Sequence, residues 1–194
     1  MELTWINDLP KFDFAILQRK KEGKFELKKT DKSISGLNFV HVENSFIEFN
    51  RELLIPHMIS TEGPALAKGD LNGDGLEDLF FGSSKRVKSA VYLQKRNGTF
   101  ELNTPQAIAI DSVYEDVDAQ IVDIDGDFDN DILVAAGGNE YKGKEEPCKQ
   151  RYYINNGKGT FTKYYFEDVF MTASCILVGD YDNDNNLDVF LGAR

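Results

Sequence analysis

The chain has 194 residues, of which 41% are hydrophobic and 12% aromatic. This is enough apolar material for a sizeable core in one domain or one array of repeats, so a disordered tail is excluded. The formal net charge of −11 disfavours nucleic acid or an anionic membrane surface as a direct partner and favours a cationic one.

The first residues, MELTWINDLPKFDF, lack the charged and then apolar layout of a signal peptide. No stretch approaches the ~18 consecutive apolar residues of a membrane span, so we expect no membrane span. These features leave open a cytosolic protein or an excerpt of a longer chain.

Two different patterns precede the first acidic segment. Residues 14–27, FAILQRKKEGKFEL, predict two strands around a glycine-bearing turn. Residues 30–60 fit no such template, and we expect an irregular connection there. Within it, residues 46–54 are compatible with either a short helix or irregular structure.

Three later segments share one order of features: a short apolar strand, an acidic loop of nine residues and a second apolar strand. The loops are DLNGDGLED (70–78), DIDGDFDND (123–131) and DYDNDNNLD (180–188). They begin 53 and 57 residues apart, a period typical of propellers, solenoids and arrays.

A second motif confirms the register of the repeat. Residues 91–102 and 152–163 each predict a hairpin, with Gly-Thr-Phe at the same place in both copies. The second unit is longer because of a polar insertion at 138–144, which we expect to be a loop on one rim.

Each full unit therefore holds about four short strands, the make-up of one propeller blade. A sandwich or a β-solenoid would also give short strands, but a sandwich would not repeat the same loop at a fixed place. We predict an all-β fold, a β-propeller fragment with about two complete four-stranded blades and partial blades at both ends. The predicted divisions are a partial blade at 1–29, an irregular connection at 30–60, blades at 61–107 and 115–167, and a partial blade at 174–194. Because propellers need 4–8 blades to close, we expect the missing blades of a parent chain as neighbours.

The three loops carry 13 of the 33 Asp and Glu residues, and this clustering needs a local reason. They share the pattern D-x-[DN]-x-D-x-x-x-D, which places side-chain oxygens at positions 1, 3, 5 and 9. Calcium takes 6–8 oxygen ligands, and a backbone carbonyl near position 7 can supply one more. The predicted metal ligands are Asp70, Asn72, Asp74, Asp78, Asp123, Asp125, Asp127, Asp131, Asp180, Asp182, Asp184 and Asp188.

An EF-hand begins in the same way but needs a bidentate Glu at position 12 and flanking helices. Position 12 is apolar in all three loops, so we expect a turn between two strands to hold up to three calcium ions. A solvated turn without an ion is the alternative, and magnesium suits the site less well because it demands stricter geometry. Position 6 favours a residue that tolerates positive φ. Phe128 does not suit that position, so the second loop is expected to be distorted or to compensate through Asp129.

These loops, the Leu-Phe-Phe-Gly and Val-Phe-Leu-Gly strands that follow, and the Gly-Thr-Phe hairpins resemble the FG-GAP and VCBS repeats of integrin α-subunit propellers. Residues 63–82, with Glu115-Asp116 and 137–139, are similar to bacterial VCBS-repeat surface proteins of the ASPIC/UnbV-associated type. The resemblance covers about residues 35–194. It implies a calcium-binding, usually exported propeller at the cell surface or outside the cell, with roles in adhesion or glycan binding.

The other motifs in the sequence give less information about function. The two histidines, His41 and His57, lie in no zinc-ligand spacing, and we expect polar or packing roles. Asn97-Gly98-Thr99 fits an N-glycosylation site or a hairpin turn, and the turn is favoured. Glu115-Asp116 fits a general acid and base or a pair of surface carboxylates, and the surface pair is favoured because nothing in the sequence marks a cleft. Cys148 and Cys175 are compatible with a disulfide or with two free thiols.

The resulting hypothesis is a non-enzymatic, calcium-binding propeller that acts as an extracellular binding or adhesion module with a protein or glycan ligand. The alternative is a propeller, catalytic or not, that forms part of a polysaccharide-degrading enzyme.

Overall fold

The computed structural model describes residues 28–193. The chain divides into two units, residues 1–30 and 31–194, and every strand of the described part belongs to the second. The hairpin predicted at residues 14–27 lies outside the described residues.

Residues 31–62 are mostly irregular and contain three short helical turns. The helix α1 (Lys32–Ser35) begins at Asp31, whose carboxylate accepts a hydrogen bond from the Ser33 amide at 2.8 Å. Two 3₁₀ turns follow at Glu48–Asn50 and Ile59–Thr61. The buried Glu48 carboxylate joins them, because it accepts hydrogen bonds from the Ile59 and Ser60 amides.

Ten short strands make up the rest of the described fold, and all their pairings are antiparallel. In chain order they are β1 (Leu66–Gly69), β2 (Asp78–Phe81), β3 (Ala90–Gln94), β4 (Phe100–Leu102), β5 (Asp116–Val122), β6 (Asp131–Ala136), β7 (Lys149–Asn155), β8 (Phe161–Phe170), β9 (Ala173–Gly179) and β10 (Asp188–Ala193). A short helix, α2 (Gln106–Ala109), lies between β4 and β5, and a 3₁₀ turn at Glu146–Cys148 precedes β7.

The strands form three sheets in strict chain order. The first is β1-β2-β3-β4, the second is β5-β6-β7-β8, and the third is the pair β9 and β10. Each four-stranded sheet is an up-and-down meander, the form of a propeller blade. The prediction of an all-β propeller fragment with two complete four-stranded blades is confirmed, and no closed barrel occurs among residues 28–193.

Two apolar layers hold the three sheets together, and β6 supplies side chains to both. All six residues of β6 are buried. Because successive side chains of a strand point to opposite faces, Ile132 and Val134 pack towards the first sheet, while Leu133 and Ala135 pack towards the third. The first layer includes Ala67, Leu71, Phe80, Val91, Ala119, Tyr153 and Phe161; the second includes Ala173 and Ile176.

Neighbouring sheets are aligned, which gives the three sheets of residues 66–193 two distinct ends. The Ala65 amide, just before β1, donates to the Asp116 carbonyl at the start of β5 over 3.0 Å. At the other end of these strands, a methyl group added at Gly69 would lie 2.4 Å from Ile121 Cγ2, so this close approach requires glycine. We call the end that carries loops 70–78, 123–131 and 180–188 the acidic-loop end. The opposite end carries the connections β2–β3, β4–β5, β6–β7 and β8–β9.

Candidate functional site

The three acidic loops occupy equivalent places in the three sheets. Each loop joins the first two strands of its sheet, and its ninth residue is the first residue of the second strand: Asp78 in β2, Asp131 in β6 and Asp188 in β10. The strand pairing therefore fixes the end of each loop. Since the same pairing recurs, the loops are three copies of one local structure.

The aspartate at position 1 organises the turn of each loop. In the first loop, Asp70 Oδ1 accepts from the Gly73 amide at 2.8 Å and Oδ2 accepts from the Gly75 amide at 2.8 Å. In the second, Asp123 accepts from the amides at positions 4 and 6 at 2.7 and 2.9 Å. Asp180 accepts from the amides at positions 5 and 6 of the third loop at 3.1 and 3.0 Å. Each loop is therefore wrapped around its first carboxylate.

The aspartate at position 9 closes the loop from the strand side. Its Oδ2 atom accepts from the amide at position 2 at 2.9 Å in the first loop, 3.0 Å in the second and 2.9 Å in the third. In the two complete sheets, Oδ1 also accepts an amide of the adjacent hairpin strand: Gln94 for Asp78 and Asn155 for Asp131. Asp78 and Asp131 are fully buried. Burial raises the pKa of both carboxyl groups, and the neighbouring loop aspartates raise it further against the opposing effect of these amides.

Position 5 also bonds within the loop. Asp74, Asp127 and Asp184 each accept a hydrogen bond from the amide two residues further on, at 2.9, 3.0 and 2.7 Å. Each carboxylate oxygen has two lone pairs, so these bonds leave acceptor capacity that a cation can use.

Carboxylates converge in two of the loops. Asp123, Asp125 and Asp131 each offer an oxygen within 4.8 Å of the other two, and so do Asp180, Asp182 and Asp188. These are positions 1, 3 and 9 of the second and third loops. Both clusters could hold a metal ion. The first loop has an amide, Asn72, at position 3, so its corresponding group comprises two carboxylates and one amide.

Position 6 of all three loops has a left-handed backbone. The φ angle is 82° at Gly75, 72° at Phe128 and 67° at Asn185. Phe128 thus adopts the same conformation as the residues that tolerate it, and the second loop keeps the turn of the other two. The distortion expected from this residue does not occur. Its ring is 96% exposed, so no burial offsets the backbone strain.

Two asparagine side chains connect the first and second loops. Asn130 donates from Nδ2 to the Asp70 carbonyl at 2.8 Å, and Asn155 donates to the Leu71 carbonyl at 2.9 Å and the Asn130 carbonyl at 3.0 Å. The backbone of one loop is therefore positioned partly by the next blade. This coupling was not visible in the sequence, since neither asparagine belongs to the shared loop pattern.

At the opposite end, Glu115 and Asp116 are 2% and 1% exposed. Their interpretation as surface carboxylates was therefore wrong. Asp116 accepts from Arg151 Nη2 at 2.7 Å and from Ser89 Oγ at 2.6 Å, which ties the second sheet to the β2–β3 connection. The sequence signal that was available is the position of Asp116 at the start of a predicted strand, where alternate side chains face inward.

Arg151 is the centre of this buried network. Its side chain is fully buried, its Nε donates to Tyr153 Oη at 2.8 Å, and its guanidinium carbon lies 4.0 Å from the centre of the Tyr114 ring. Burial opposes ionisation of the guanidinium, but the charge of Asp116 more than offsets it and raises the pKa. Tyr153 donates in turn to Asp111 at 2.7 Å.

The remaining motifs have structural roles. Residues 95–99 form the hairpin turn, with Gly98 at φ 80° and the Lys95 amide donating to the Thr99 carbonyl at 2.8 Å.

Cys148 and Cys175 are free thiols. Within residues 28–193, no helix is long and apolar enough to cross a membrane.

The comparison with known families agrees with this architecture. The FG-GAP-like repeat family matches residues 70–134 and again residues 123–191. Each match begins at one acidic loop and ends in the strand that follows the next loop. Because the two matches together span more than half of the chain, the chain belongs to the FG-GAP-like repeat family. This family is generally a non-catalytic binding or structural module and typically occurs in extracellular or surface proteins. No curated protein matches the chain.

Proposed function

We propose that this protein is a calcium-binding propeller module that acts outside the cell or at its surface and binds a protein or glycan partner. The observation that carries the calcium part is the repetition of one loop structure in three sheets, with oxygen ligands at the same positions each time. In two loops the oxygens at positions 1, 3 and 9 lie within 4.8 Å of one another, whereas Asp127 and Asp184 at position 5 lie outside these clusters.

The chemistry of the donors favours calcium. All four side-chain ligands of each loop are carboxylates or an amide, the hard oxygen donors that calcium and magnesium take. Calcium accepts 6–8 such ligands in a flexible arrangement, whereas magnesium demands near-octahedral geometry and retains its water. A loop with four side-chain oxygens and a backbone carbonyl near position 7 suits the larger ion.

The role proposed for calcium is structural. The carboxylates at positions 1 and 9 already bond to loop amides, so an ion bound to them would fix both ends of the turn. It would also relieve the repulsion between aspartates that share a small space. Rigid loops would keep the blades aligned. The outer surface of the module would then keep one shape, to which a partner can bind.

The direct experiment measures calcium stoichiometry and affinity by isothermal titration on the full chain. We expect up to three sites with dissociation constants between ~10⁻⁵ and 10⁻³ M. Asp125→Ala and Asp182→Ala should each remove or weaken one site, because each deletes a position-3 ligand. Glu77→Gln is the control, since it removes an exposed carboxylate of the first loop that lies outside the predicted side-chain ligand set. Loss of calcium binding in Glu77→Gln equal to that in Asp125→Ala would reject the ligand assignment.

The binding role is tested with the same preparation. Saturable glycan or protein binding that depends on calcium supports the proposal. A parallel glycan-depolymerisation assay tests the alternative that the module belongs to a polysaccharide-degrading enzyme, since turnover without stoichiometric binding would favour that alternative.

A further inference from the structure

Two asparagines beside Asp131, the predicted ligand at position 9 of the second loop, bond to the first loop. Asn130 directly precedes Asp131, and its Nδ2 donates to the Asp70 carbonyl at 2.8 Å. The Asn155 amide donates to Asp131 Oδ1 at 2.8 Å, and its Nδ2 donates to the Leu71 carbonyl at 2.9 Å. Both residues that fix the surroundings of Asp131 therefore also hold the backbone of the first loop.

The first loop accepts these bonds at residues that hold its own predicted ligands. Asp70 is the ligand at position 1, so a bond to its carbonyl fixes the backbone that carries this side chain. The Leu71 amide donates to Asp78 Oδ2 at 2.9 Å, and Asp78 is the ligand at position 9. The peptide group between Asp70 and Leu71 thus bonds to Asp78 through its N–H and to Asn130 through its C=O. A path of hydrogen bonds joins the ligands of the two loops.

Burial makes this path difficult to break. Asn155 is 3% exposed and Leu71 is 1% exposed. Asn155 Nδ2 also donates to the Asn130 carbonyl at 3.0 Å, so both hydrogens of its amide are used. A buried donor that loses its partner does not regain a bond to water, so the loss is costly. The first and second loops therefore resist moving independently of each other.

The third loop lacks this connection to the second. Its residue at position 8 is Leu187, whose side chain has no N–H group, where the second loop has Asn130. In the part of the chain that the structure describes, the side chains of the third loop bond only within that loop. The third loop nevertheless forms the same turn, with φ 67° at Asn185. Asparagine at position 8 therefore serves the contact with the neighbouring loop and is not needed for the turn.

We propose that Asn130 and Asn155 are positioning residues that couple calcium binding at the first and second loops and leave the third loop independent. The inference rests on the calcium sites proposed above. An ion at the second loop would fix Asp131 and, through it, both asparagines, so the first loop would be ordered before its own ion binds. Less conformational entropy is then lost on binding, and the affinity of the first loop rises. By linkage, an ion at the first loop raises the affinity of the second by the same factor.

The test is a calcium titration of the ¹⁵N-labelled full chain by NMR. The amide resonances of Gly75 and Gly126 report the first and second loops separately. Asp125→Ala deletes a ligand of the second loop, and it should raise the calcium midpoint at Gly75 by about fivefold or more, the lower end of typical coupling. Asp182→Ala deletes the equivalent ligand of the third loop and should leave the Gly75 midpoint nearly unchanged.

Asn130→Leu gives the second loop the residue that the third loop has at position 8. In this background, Asp125→Ala should move the Gly75 midpoint much less. The same charge is lost with Asp125 in both backgrounds, so the difference isolates the path through the asparagine. A merely structural role of Asn130 would weaken binding without changing this coupling factor. Glu77→Leu is the matched control at position 8 of the first loop, where the side chain pairs with Lys68, and it should retain the factor.

Asn155→Leu removes the second link and should lower the coupling factor in the same way. If no loop amide responds to calcium, the proposed calcium function and this inference both fail. If the loops bind calcium but Asp125→Ala does not move the Gly75 midpoint, only the coupling is overturned. A full shift that persists in both Asn130→Leu and Asn155→Leu would overturn the role of the asparagines.

Discussion

At the scale of single residues, Phe128 shows that the surrounding loop can override the backbone preference of one residue. An L-residue in the left-handed region is disfavoured by about 1–2 kcal/mol, yet Phe128 has φ 72° with its ring in solvent. The carboxylate of Asp123 accepts the Phe128 amide at 2.9 Å and helps to hold it there. The loop frame thus imposes the turn on a residue that does not favour it.

Phe128→Gly should therefore stabilise the protein. Glycine removes the backbone strain, and this gain exceeds the free-energy cost of the greater conformational entropy of glycine in the unfolded chain. The free energy of unfolding should therefore rise by about 1 kcal/mol. Urea unfolding at fixed calcium concentration measures the change. Phe128→Ala is the control, because alanine removes the ring but keeps the strain, and it should show little gain. A glycine variant no more stable than the alanine variant would contradict this reading.

Glu115 predicts a pH dependence. Burial, and to a smaller extent the charges of Glu43 and Asp116, raises its pKa to about 8, against the opposing bond from the Lys85 amide. The folded state therefore binds a proton more tightly than the unfolded state. Its contribution to stability is complete below the unfolded pKa and is lost as the pH rises through about 8.

The free energy of unfolding should fall between pH 5 and 9 by about 1.4 kcal/mol for each pH unit that separates the two pKa values of Glu115. Glu115→Gln should flatten this dependence, and urea unfolding at several pH values measures it. Glu77→Gln, which removes one charge elsewhere, should retain the slope. An unchanged slope in Glu115→Gln would assign the pH dependence to other groups.

At the scale of elements, a buried ion pair ties the second blade to the first. Arg151 in β7 pairs with Asp116 at the start of β5, and Asp116 also accepts from Ser89 beside β3. Both charged side chains are almost fully buried, at 0% and 1% exposure. Removing one partner of such a pair leaves the other charge buried without compensation. This uncompensated charge is the main reason why the free energy of unfolding falls.

Arg151→Met should lower the free energy of unfolding by about 3–5 kcal/mol, as measured by chemical denaturation. Lys95→Met breaks the exposed pair with Glu101 and should cost no more than about 1 kcal/mol. The double variant Arg151→Met with Asp116→Asn should recover part of the loss, because the unpaired carboxylate is then neutral. If Arg151→Met and Lys95→Met lowered the free energy of unfolding by the same amount, a buried structural role for Arg151 would be contradicted.

At the scale of the whole molecule, the repeat pattern was sufficient to predict the blades. The nine-residue loops and the Gly-Thr-Phe hairpins recur in register, and the strands lie where the alternation of apolar residues places them. Local sequence patterns determine such short-range structure directly. The same argument predicted the ligand positions of the loops, whose calcium occupancy stays a prediction.

Contacts between blades could not be predicted in this way. The side-chain hydrogen bonds of Asn130, Asn155 and Arg151 join residues that are distant in sequence. The burial of Glu115 likewise depends on residues outside its own segment. Each depends on how one sheet packs on another, which no single segment encodes. The turn at Phe128 was missed for a related reason, since the surrounding carboxylates outweigh the preference of the residue.

The central claim is that calcium stabilises the blade loops. Thermal unfolding of the full chain in excess EDTA, then across a calcium series with magnesium as control, tests it most directly. One site filled at 100 times its dissociation constant adds ~2.7 kcal/mol, enough to raise the midpoint by several degrees. The account predicts such a rise for calcium and a much smaller one for magnesium. The same midpoint in EDTA, calcium and magnesium would contradict it.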